Sequence, residues 1–351
     1  MKIFHVITRS SLGGAQSVVV NLANNQVKDN EVFVLSSAGG EAWKALDRKV
    51  NVIAIPELKR EICPADVIVL LKLLFYRFKY NPHVVHLHSS KIGVLGRIAF
   101  SPFKTVYTVH GFDSIRLANR KFLFLEKVLQ FWCRFIVGVS KYDLKNLYEE
   151  KIRRKVSCIY NGVFDYSKNM SSNNDLISLI RKKRNDYRSI VMCIARDAAP
   201  KAPDLFAETA KNNPDYFFIW IGNKEYRENF DNLLWAGEIP EAYLLLKETD
   251  LFILPSNFEG LPMCILEAFS FSKPVVASDV GGISEIVNGK NGRVVNNTVE
   301  DFTQAIRFFL EDSTRYDLAC ISARKTYESE LQDSVMTERY MKLYQKIYKE
   351  K

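Results

Sequence analysis

The chain has 351 residues and lacks any long apolar run. No uninterrupted apolar stretch reaches the roughly 18–20 residues that a membrane-spanning helix requires. The N-terminal run at 3–7 has neither the length nor the cleavage-site pattern of a secretory signal peptide. We therefore expect a cytoplasmic protein, with peripheral attachment to the inner face of the cell membrane left open.

The sequence also lacks a C-x-x-C pair, which argues against a zinc site or a disulfide framework. His83, His86 and His88 lie close together, but two imidazoles on one face of a strand without a carboxylate make a poor metal site. We expect no bound metal and no cofactor. We also expect six free thiols, at Cys63, Cys133, Cys158, Cys193, Cys264 and Cys320.

An excess of basic residues is confined to the first half. Residues 1–166 hold 25 basic and 13 acidic side chains, a net +12, whereas residues 167–351 hold 24 and 27, a net −3. No helix-turn-helix, zinc-finger or RNA-recognition motif accompanies this charge, so we predict no nucleic-acid partner. A phosphorylated substrate or an anionic lipid surface would suit it, and an ordinary solvated surface is the alternative.

Strand-like apolar runs alternate with amphipathic stretches, a pattern typical of parallel sheets flanked by helices. A polar segment at 161–188 interrupts the alternation and is interpreted as a linker, with room for one short helix. We predict two Rossmann-like α/β domains at 1–165 and 166–333, with a helix at 334–351 returning to the first domain. The strands are predicted at 3–7, 31–35, 51–55, 83–87, 104–109, 135–139, 156–160, 189–194, 216–221, 233–235, 250–254, 274–277 and 292–295. The helices are predicted at 15–26, 64–79, 119–132, 141–149, 201–211, 240–247, 262–271 and 299–311, with Ser140 as an N-cap.

Four short segments carry candidate chemistry, each at or after the end of a predicted strand. Ser11-Leu12-Gly13-Gly14 and Thr108-Val109-His110 lie in the first half, and Arg196-Asp197-Ala198-Ala199-Pro200-Lys201 and Glu259-Gly260-Leu261-Pro262 lie in the second. Glycine loops and helix N-termini direct backbone N–H groups toward an anion such as a diphosphate. A carboxylate inside an apolar helix, as at Glu267, needs a partner if it is buried, and a sugar diol would supply two hydroxyl donors.

Glu259 and Glu267 have the spacing of the E-x7-E motif of family 4 retaining glycosyltransferases, which have the GT-B architecture. Gly281-Gly282-Ile283-Ser284-Glu285-Ile286-Val287 is similar to the family's GG-x-x-E-(I/V)-(I/V) element. The other segments resemble its glycine loop, its T-x-H element and its Arg…Lys pair, so the resemblance covers the whole chain. It departs from the family at two places: Ala195 stands before Arg196 where Gly is usual, and Ala202 follows Lys201 in place of Gly.

The resemblance implies a role for each of these residues. Glu267 holds the nucleotide ribose, and Glu259 approaches the donor sugar at the reaction centre. Arg196 and Lys201 grip the leaving diphosphate, and His110 contacts the donor sugar and phosphate. The donor-binding loops contribute Gly13, Gly14, Gly260 and Leu261.

The function implied is transfer of a hexosyl group, with retention, from a nucleotide sugar to a glycan acceptor. UDP is the expected carrier, and the donor is expected in a cleft between the two domains. The acceptor is expected to be a polyprenyl-diphosphate-linked glycan in bacterial capsule or O-antigen synthesis, reached at an anionic membrane surface. A UDP-sugar epimerase on the same fold, a glycan phosphorylase and a catalytically silent nucleotide-binding partner are the alternatives.

Overall fold

The computed structural model describes residues 1–117, 119–169, 174–223 and 227–349. The chain divides into two compact units: unit 1 is Met1–Val163 with Asp333–Lys351, and unit 2 is Phe164–Gln332. Residues 170–173 of the predicted linker and 350–351 of the predicted terminal helix lie outside the described residues. None of the helices in the described part of the chain has the length and apolarity needed to cross a membrane.

Unit 1 is built on a seven-stranded parallel sheet with strand order β3-β2-β1-β4-β5-β6-β7. Its strands are β1 (Lys2–Val6), β2 (Glu31–Ser36), β3 (Asn51–Ala54), β4 (Val84–Leu87), β5 (Thr105–Val109), β6 (Phe135–Gly138) and β7 (Val156–Cys158). Its helices up to Val163 are α1 (Gly14–Gln26), α2 (Asp66–Tyr80), α3 (Ser90–Ala99), α4 (Asp113–Arg116), α5 (Leu123–Leu129) and α6 (Lys141–Glu149). Shorter 3-10 helices occupy Glu41–Ala45, Pro102–Lys104, Arg120–Phe122 and Gln130–Trp132.

Unit 2 repeats this architecture with a six-stranded parallel sheet of order β10-β9-β8-β11-β12-β13. Its strands are β8 (Ser189–Ile194), β9 (Tyr216–Ile221), β10 (Leu233–Trp235), β11 (Leu251–Leu254), β12 (Val275–Ser278) and β13 (Gly292–Val295). Its helices are α7 (Asn174–Lys183), α8 (Pro203–Lys211), α9 (Met263–Ser270), α10 (Val299–Leu310) and α11 (Ser313–Thr326). 3-10 turns at Tyr166–Lys168, Ala199–Lys201, Ala242–Glu248 and Ile283–Glu285 and a π-helical turn at Tyr327–Leu331 complete the unit.

The central strands are short apolar runs because helices cover both faces of a parallel sheet. All four residues of β11, for example, are fully buried. In each unit the strand order reverses once, between β1 and β4 and between β8 and β11. Such a reversal opens a crevice at the carboxyl ends of the strands, which is where open α/β sheets bind ligands.

The terminal helix α12 (Asp333–Lys349) packs against the sheet of unit 1, where a helix at 334–351 returning to the first domain was predicted from the sequence. Met336, Tyr340, Tyr344 and Ile347 are buried. The Tyr344 hydroxyl lies 2.5 Å from Nδ1 of His86, and the Tyr340 hydroxyl lies 2.9 Å from Oγ1 of Thr108. The helix therefore contributes polar contacts to the interior of unit 1 as well as apolar ones.

The structure corrects several predicted helices. Helices α3 and α11 were not predicted, and α3 contains Gly93 and Gly96, which lower helix propensity. A Cβ on Gly93 would lie 2.6 Å from the Tyr107 ring, so close packing accounts for that glycine. The single helix predicted at 119–132 is three short pieces, and the helix predicted at 240–247 is a 3-10 helix. The N-cap at Ser140 and the six free cysteines are confirmed.

Candidate functional site

Three of the four predicted site segments follow strands that flank the reversal in their sheet, namely β1, β8 and β11, and the segment with His110 follows β5, one strand further along. In unit 1, Gly13 is the N-cap of α1 and Gly14 is the first residue of that helix. The Gln16 side chain donates a hydrogen bond to the carbonyl of Arg9 at 3.0 Å, which ties the loop after β1 to the helix. The first turn of α1 carries no acidic residue, so nothing within it competes for an incoming anion.

His110 follows β5 and is partly buried. Its Nε2 lies 3.2 Å from Nδ1 of His88. Burial lowers the pKa of His110 to about 4, so the ring is neutral near pH 7. His110 can therefore bind a sugar hydroxyl or a phosphate as an uncharged hydrogen-bonding group, but it brings no positive charge.

The histidines of unit 1 are grouped differently from the set considered in the sequence. His83 stands apart and accepts a hydrogen bond from the Lys2 backbone N–H at 2.8 Å. His5 joins His86 and His88 instead, and nitrogens of the three rings lie within 4.8 Å of one another. Within the part of the chain that the structure describes, these three side chains could hold a metal ion, yet both nitrogens of every ring already have hydrogen-bond partners. His5 was missed from the sequence because its proximity to His86 depends on the pairing register of β1 and β4, in which the two residues lie side by side.

In unit 2, Lys201 and Glu259 form an ion pair although 58 positions separate them. The Ser256 hydroxyl donates a second hydrogen bond to the same Oε1 of Glu259 at 2.7 Å. The Asn257 backbone N–H donates to the Pro200 carbonyl at 2.7 Å, which joins the two loops directly. Burial by itself lowers the pKa of Lys201, but the combined effects of its neighbours, the Glu259 charge first among them, raise that pKa overall. The residues predicted for the diphosphate and for the donor sugar thus share one cluster.

The glycine pair at 281–282 packs against the backbone of the loop that carries Glu259. Gly281 has a φ of +60°, and a Cβ there would lie 2.0 Å from the Glu259 carbonyl oxygen. The Gly282 backbone N–H donates to the Gly260 carbonyl at 2.9 Å, and Leu261 is buried beside it. A glycine at 281 is therefore required for the loop that carries Glu259 to take this path.

Arg196 is exposed and makes no hydrogen bond to the described residues, so its guanidinium is available to a ligand. Its neighbour Asp197 forms a bidentate pair with Arg227 at 2.8 and 3.0 Å, which anchors the loop after β8. The sequence assigned no role to this pair. Gly222, with a φ of +115°, lies against Ala195, where a Cβ would come within 2.5 Å of the Ala195 carbonyl oxygen.

Ala202, one of the two departures from the family pattern, has a backbone conformation in which glycine is favoured. Its φ is +42° and its ψ is +56°, in the left-handed region that glycine tolerates and alanine disfavours. A glycine at this position would relieve the strain, and Pro203 then begins α8. The substitution does not displace Lys201, which keeps its contact with Glu259.

Glu267 lies in α9, eight residues after Glu259, and is partly buried. Burial raises the pKa of Glu267 to about 7. No described residue donates a hydrogen bond to this carboxylate, in contrast to Glu259. It is a free acceptor of the kind that would receive the two hydroxyls of a ribose.

The comparisons with known proteins agree with this geometry. A model of Family 4 glycosyltransferases matches residues 12–164, and a model of group 1 glycosyl transferases matches residues 188–312. An Escherichia coli UDP-Gal:alpha-D-GlcNAc-diphosphoundecaprenol alpha-1,3-galactosyltransferase is 31% identical over 349 residues, covering 87% of both chains. The chain belongs to the family 4 glycosyltransferases.

Further matches support the same family and fold. The O-antigen biosynthesis glycosyltransferase WbnH of Escherichia coli is 29% identical over 331 residues, covering 91% of this chain and 93% of the relative. The crystal structure of Anabaena HepE in complex with UDP and glucose superposes with a TM-score of 0.83 at 18% identity, covering 98% of this chain and 99% of that one. At that identity HepE supports the fold alone. The family membership identifies the chain as a glycosyltransferase, in preference to the epimerase, phosphorylase and silent-partner alternatives.

Proposed function

We propose that this glycosyltransferase moves a hexosyl group from a UDP-sugar to a hydroxyl of a polyprenyl-diphosphate-linked glycan, with retention of anomeric configuration, in bacterial cell-surface polysaccharide synthesis. The observation that carries the proposal is the Lys201–Glu259 cluster beside the free Arg196 and Glu267. It combines two cations for a diphosphate with two carboxylates for hydroxyl groups. The name of the galactosyltransferase relative, which includes a UDP-sugar and a diphosphoundecaprenol acceptor, supports both substrates.

The leaving group gains negative charge as the glycosidic bond to the diphosphate breaks. Arg196 and Lys201 stabilise that charge, which is the work that a divalent cation does in other transferases. We therefore propose that the reaction needs no metal ion. Glu267 fixes the nucleotide through its ribose, and Glu259 is held by Lys201 and Ser256 near the sugar. The acceptor hydroxyl bonds to the anomeric carbon on the face that the diphosphate leaves, and the departing phosphate accepts its proton, so the chain needs neither a covalent nucleophile nor a separate general base.

A lipid-linked acceptor requires the enzyme to work at a membrane, and α2 has the surface for it. Its buried face includes Val69 and Leu73, while its outer face exposes a stripe at i, i+4 and i+3 spacing. That stripe comprises Val67, Leu71, Phe75 and Phe78, each more than half exposed. The apolar neighbours Leu73, Leu74 and Tyr76 pack inward, so only the outer face of the helix offers apolar side chains to a membrane.

Cations accompany these exposed side chains. Lys79 Nζ lies 5.7 Å from the Phe75 ring centroid, and Arg77 and Lys104 line a surface pocket together with Phe78. Elsewhere on unit 1, Arg154 lies over the exposed ring of Phe131 at 5.2 Å. Exposed aromatic rings with adjacent cations suit an anionic lipid surface, with each cation contributing about 1 kcal/mol near the surface.

Sedimentation with vesicles tests the membrane part. Wild-type protein should bind vesicles containing anionic lipid and release from them at high salt, whereas the double variant Phe75→Ser, Phe78→Ser should stay in solution. The matched control is Leu318→Ser, Ile321→Ser, which removes two equally exposed apolar side chains from unit 2. Equal binding to neutral and anionic vesicles at all salt concentrations would contradict the proposal.

Product analysis tests the acceptor. The purified enzyme is given a panel of UDP-sugars with either a polyprenyl-diphosphate-linked saccharide or the same saccharide free in solution. We expect a lipid-linked product one hexose heavier, with turnover of the free saccharide much slower. Efficient transfer to the free saccharide and none to the lipid-linked form would refute the assignment of the acceptor.

A further inference from the structure

A row of hydrogen-bonded side chains runs through the interior of unit 1 and ends at His110. Oε1 of Gln26 lies 2.7 Å from Nε2 of His5, and Nδ1 of His5 lies 3.0 Å from Nε2 of His88. Nδ1 of His88 then lies 3.2 Å from Nε2 of His110. Gln26, His5 and His88 are essentially inaccessible to solvent, so water does not compete for these contacts.

The direction of the hydrogen bonds is set at the Gln26 end. An amide oxygen can only accept, so Nε2 of His5 carries the proton there. A neutral imidazole has one N–H and one lone pair, which makes Nδ1 of His5 an acceptor and Nε2 of His88 the donor to it. The same reasoning makes Nε2 of His110 the donor to Nδ1 of His88. The unprotonated nitrogen of His110 is therefore Nδ1, and none of the described residues hydrogen-bonds to it.

Burial keeps the three histidine rings neutral. Each ring then has one N–H and one lone pair, so the direction set at Gln26 is passed on to His110. Burial lowers the pKa of His5 to about 4 and the pKa of His88 well below its ordinary value, as it does for His110. The ring that packs on His88 from the side is His86, also neutral, with ring centroids 3.8 Å apart. Its nitrogens are bonded to Tyr344 and Thr108, so neither of them bonds to a ring of the row.

We propose that Gln26 is a positioning residue that acts through His5 and His88 to hold His110 in its Nε2–H tautomer, so that the Nδ1 lone pair of His110 accepts a hydrogen bond from a hydroxyl of the donor sugar. The inference rests on the proposed function in one respect, namely that His110 contacts the donor. Reversal of any single ring would place two N–H groups or two lone pairs face to face in the buried row. The amide of Gln26, at the end of α1, thereby selects which nitrogen His110 presents.

The tautomer itself can be read from the wild-type protein. Long-range ¹H–¹⁵N correlation spectra of protein labelled at histidine distinguish a protonated Nε2 from a protonated Nδ1. We expect Nε2–H at His5, His88 and His110. A spectrum with Nδ1–H at His110 would overturn the proposal, as would one stoichiometric bound metal ion on His5, His86 and His88. This test does not depend on activity, so it stands even if the proposed function fails.

Binding of probes tests the consequence for the donor. Gln26→Met removes the acceptor at nearly constant volume, and Gln26→Glu keeps an acceptor at the same place. We expect Gln26→Met to weaken UDP-glucose or UDP-galactose binding on the order of tenfold, the value of about one hydrogen bond, while UDP binding is unchanged. Gln26→Glu should retain the Nε2–H tautomer of His110 and most of the UDP-sugar affinity.

The control is Gln130→Met, which removes another buried amide of unit 1 that bonds to the carbonyls of Lys127 and Lys151. It should change neither the His110 spectrum nor the affinity for UDP-sugars. Equal weakening of UDP and UDP-sugar by Gln26→Met would indicate a merely structural role and overturn the proposal. Unchanged UDP-sugar affinity despite an altered His110 tautomer would overturn it as well.

Discussion

At the scale of single residues, Glu267 and Glu259 show how two carboxylates eight positions apart acquire different properties. Glu259 forms an ion pair with Lys201 and accepts a hydrogen bond from Ser256, so its carboxylate is held in place. Glu267 has no such partner among the described residues, and burial raises its pKa to about 7. The difference lies in the surroundings of each side chain, and it makes Glu267 the group whose charge responds to a ligand.

The first prediction concerns the pH dependence of donor binding. Two hydroxyl donors stabilise the ionised form of Glu267, so UDP-glucose should bind the deprotonated enzyme. Since the pKa of the free enzyme is about 7, affinity should rise about tenfold between roughly pH 6 and pH 8 and then level off. Calorimetry with UDP-glucose, whose diphosphate does not titrate in this range, measures the change. Glu267→Gln should bind more weakly with a flat profile, and a flat profile for the wild type would contradict the assignment.

The second prediction separates Arg196 from Lys201. Arg196 is exposed and bonded to nothing described, so Arg196→Ala should lower kcat on the order of 100-fold without changing thermal stability. Lys201→Ala should lower kcat similarly and also lower stability, because it leaves Glu259 without its cation. The matched control is Lys290→Ala, another exposed cation of unit 2. Activity that requires Mg²⁺ and ignores both substitutions would show that a metal ion does this work.

At the scale of elements, the strands were predictable and several helices were not. Buried parallel strands are short apolar runs, so the predicted and observed strands of both units agree within about two residues at their ends. Helix α3 was missed because Gly93 and Gly96 serve packing against Tyr107 and Leu87, at the expense of helix propensity. The local sequence of α3 could not reveal that side chains on β4 and β5 leave room only for glycine at these positions.

The residues of the candidate site were predictable from the sequence, but the contacts between them were not. The sequence placed the candidate residues at the carboxyl ends of strands, and motif resemblance assigned them roles. The Lys201–Glu259 pair and the row from Gln26 to His110 could not be predicted, because both depend on contacts between segments far apart in the chain. The left-handed backbone at Ala202 was hidden for another reason, since alanine gives no sign of a positive φ.

The third prediction uses that strained backbone. Ala202→Gly should raise the free energy of unfolding by about 1 kcal/mol, because the relief of the left-handed strain exceeds the entropy that glycine loses on folding. Ala207→Gly, in the regular part of α8, is the matched control and should lower stability by about 1 kcal/mol. Chemical denaturation of both variants measures the two changes. A loss of stability in Ala202→Gly would mean that residue 202 is not left-handed in solution.

At the scale of the whole molecule, the uneven charge agrees with the proposal that unit 1 binds the acceptor and unit 2 binds the nucleotide. Residues 1–166, which form most of unit 1, carry the net +12 and the exposed aromatic side chains of α2. Residues 167–351, which include nearly all of unit 2, are close to neutral and hold the Arg196, Lys201, Glu259 and Glu267 site. A basic, partly apolar unit suits a lipid-diphosphate acceptor, whereas the second unit suits a nucleotide.

The most direct measurement of the central claim is the anomeric configuration of the product formed on a lipid-linked acceptor. The enzyme is supplied with an α-linked UDP-hexose and a polyprenyl-diphosphate-linked saccharide in the presence of EDTA, and the released glycan is analysed by NMR. The account predicts a product with a new α-glycosidic linkage, formed without added metal. A β-linkage, or no transfer from any UDP-hexose to the lipid-linked acceptor, would contradict it.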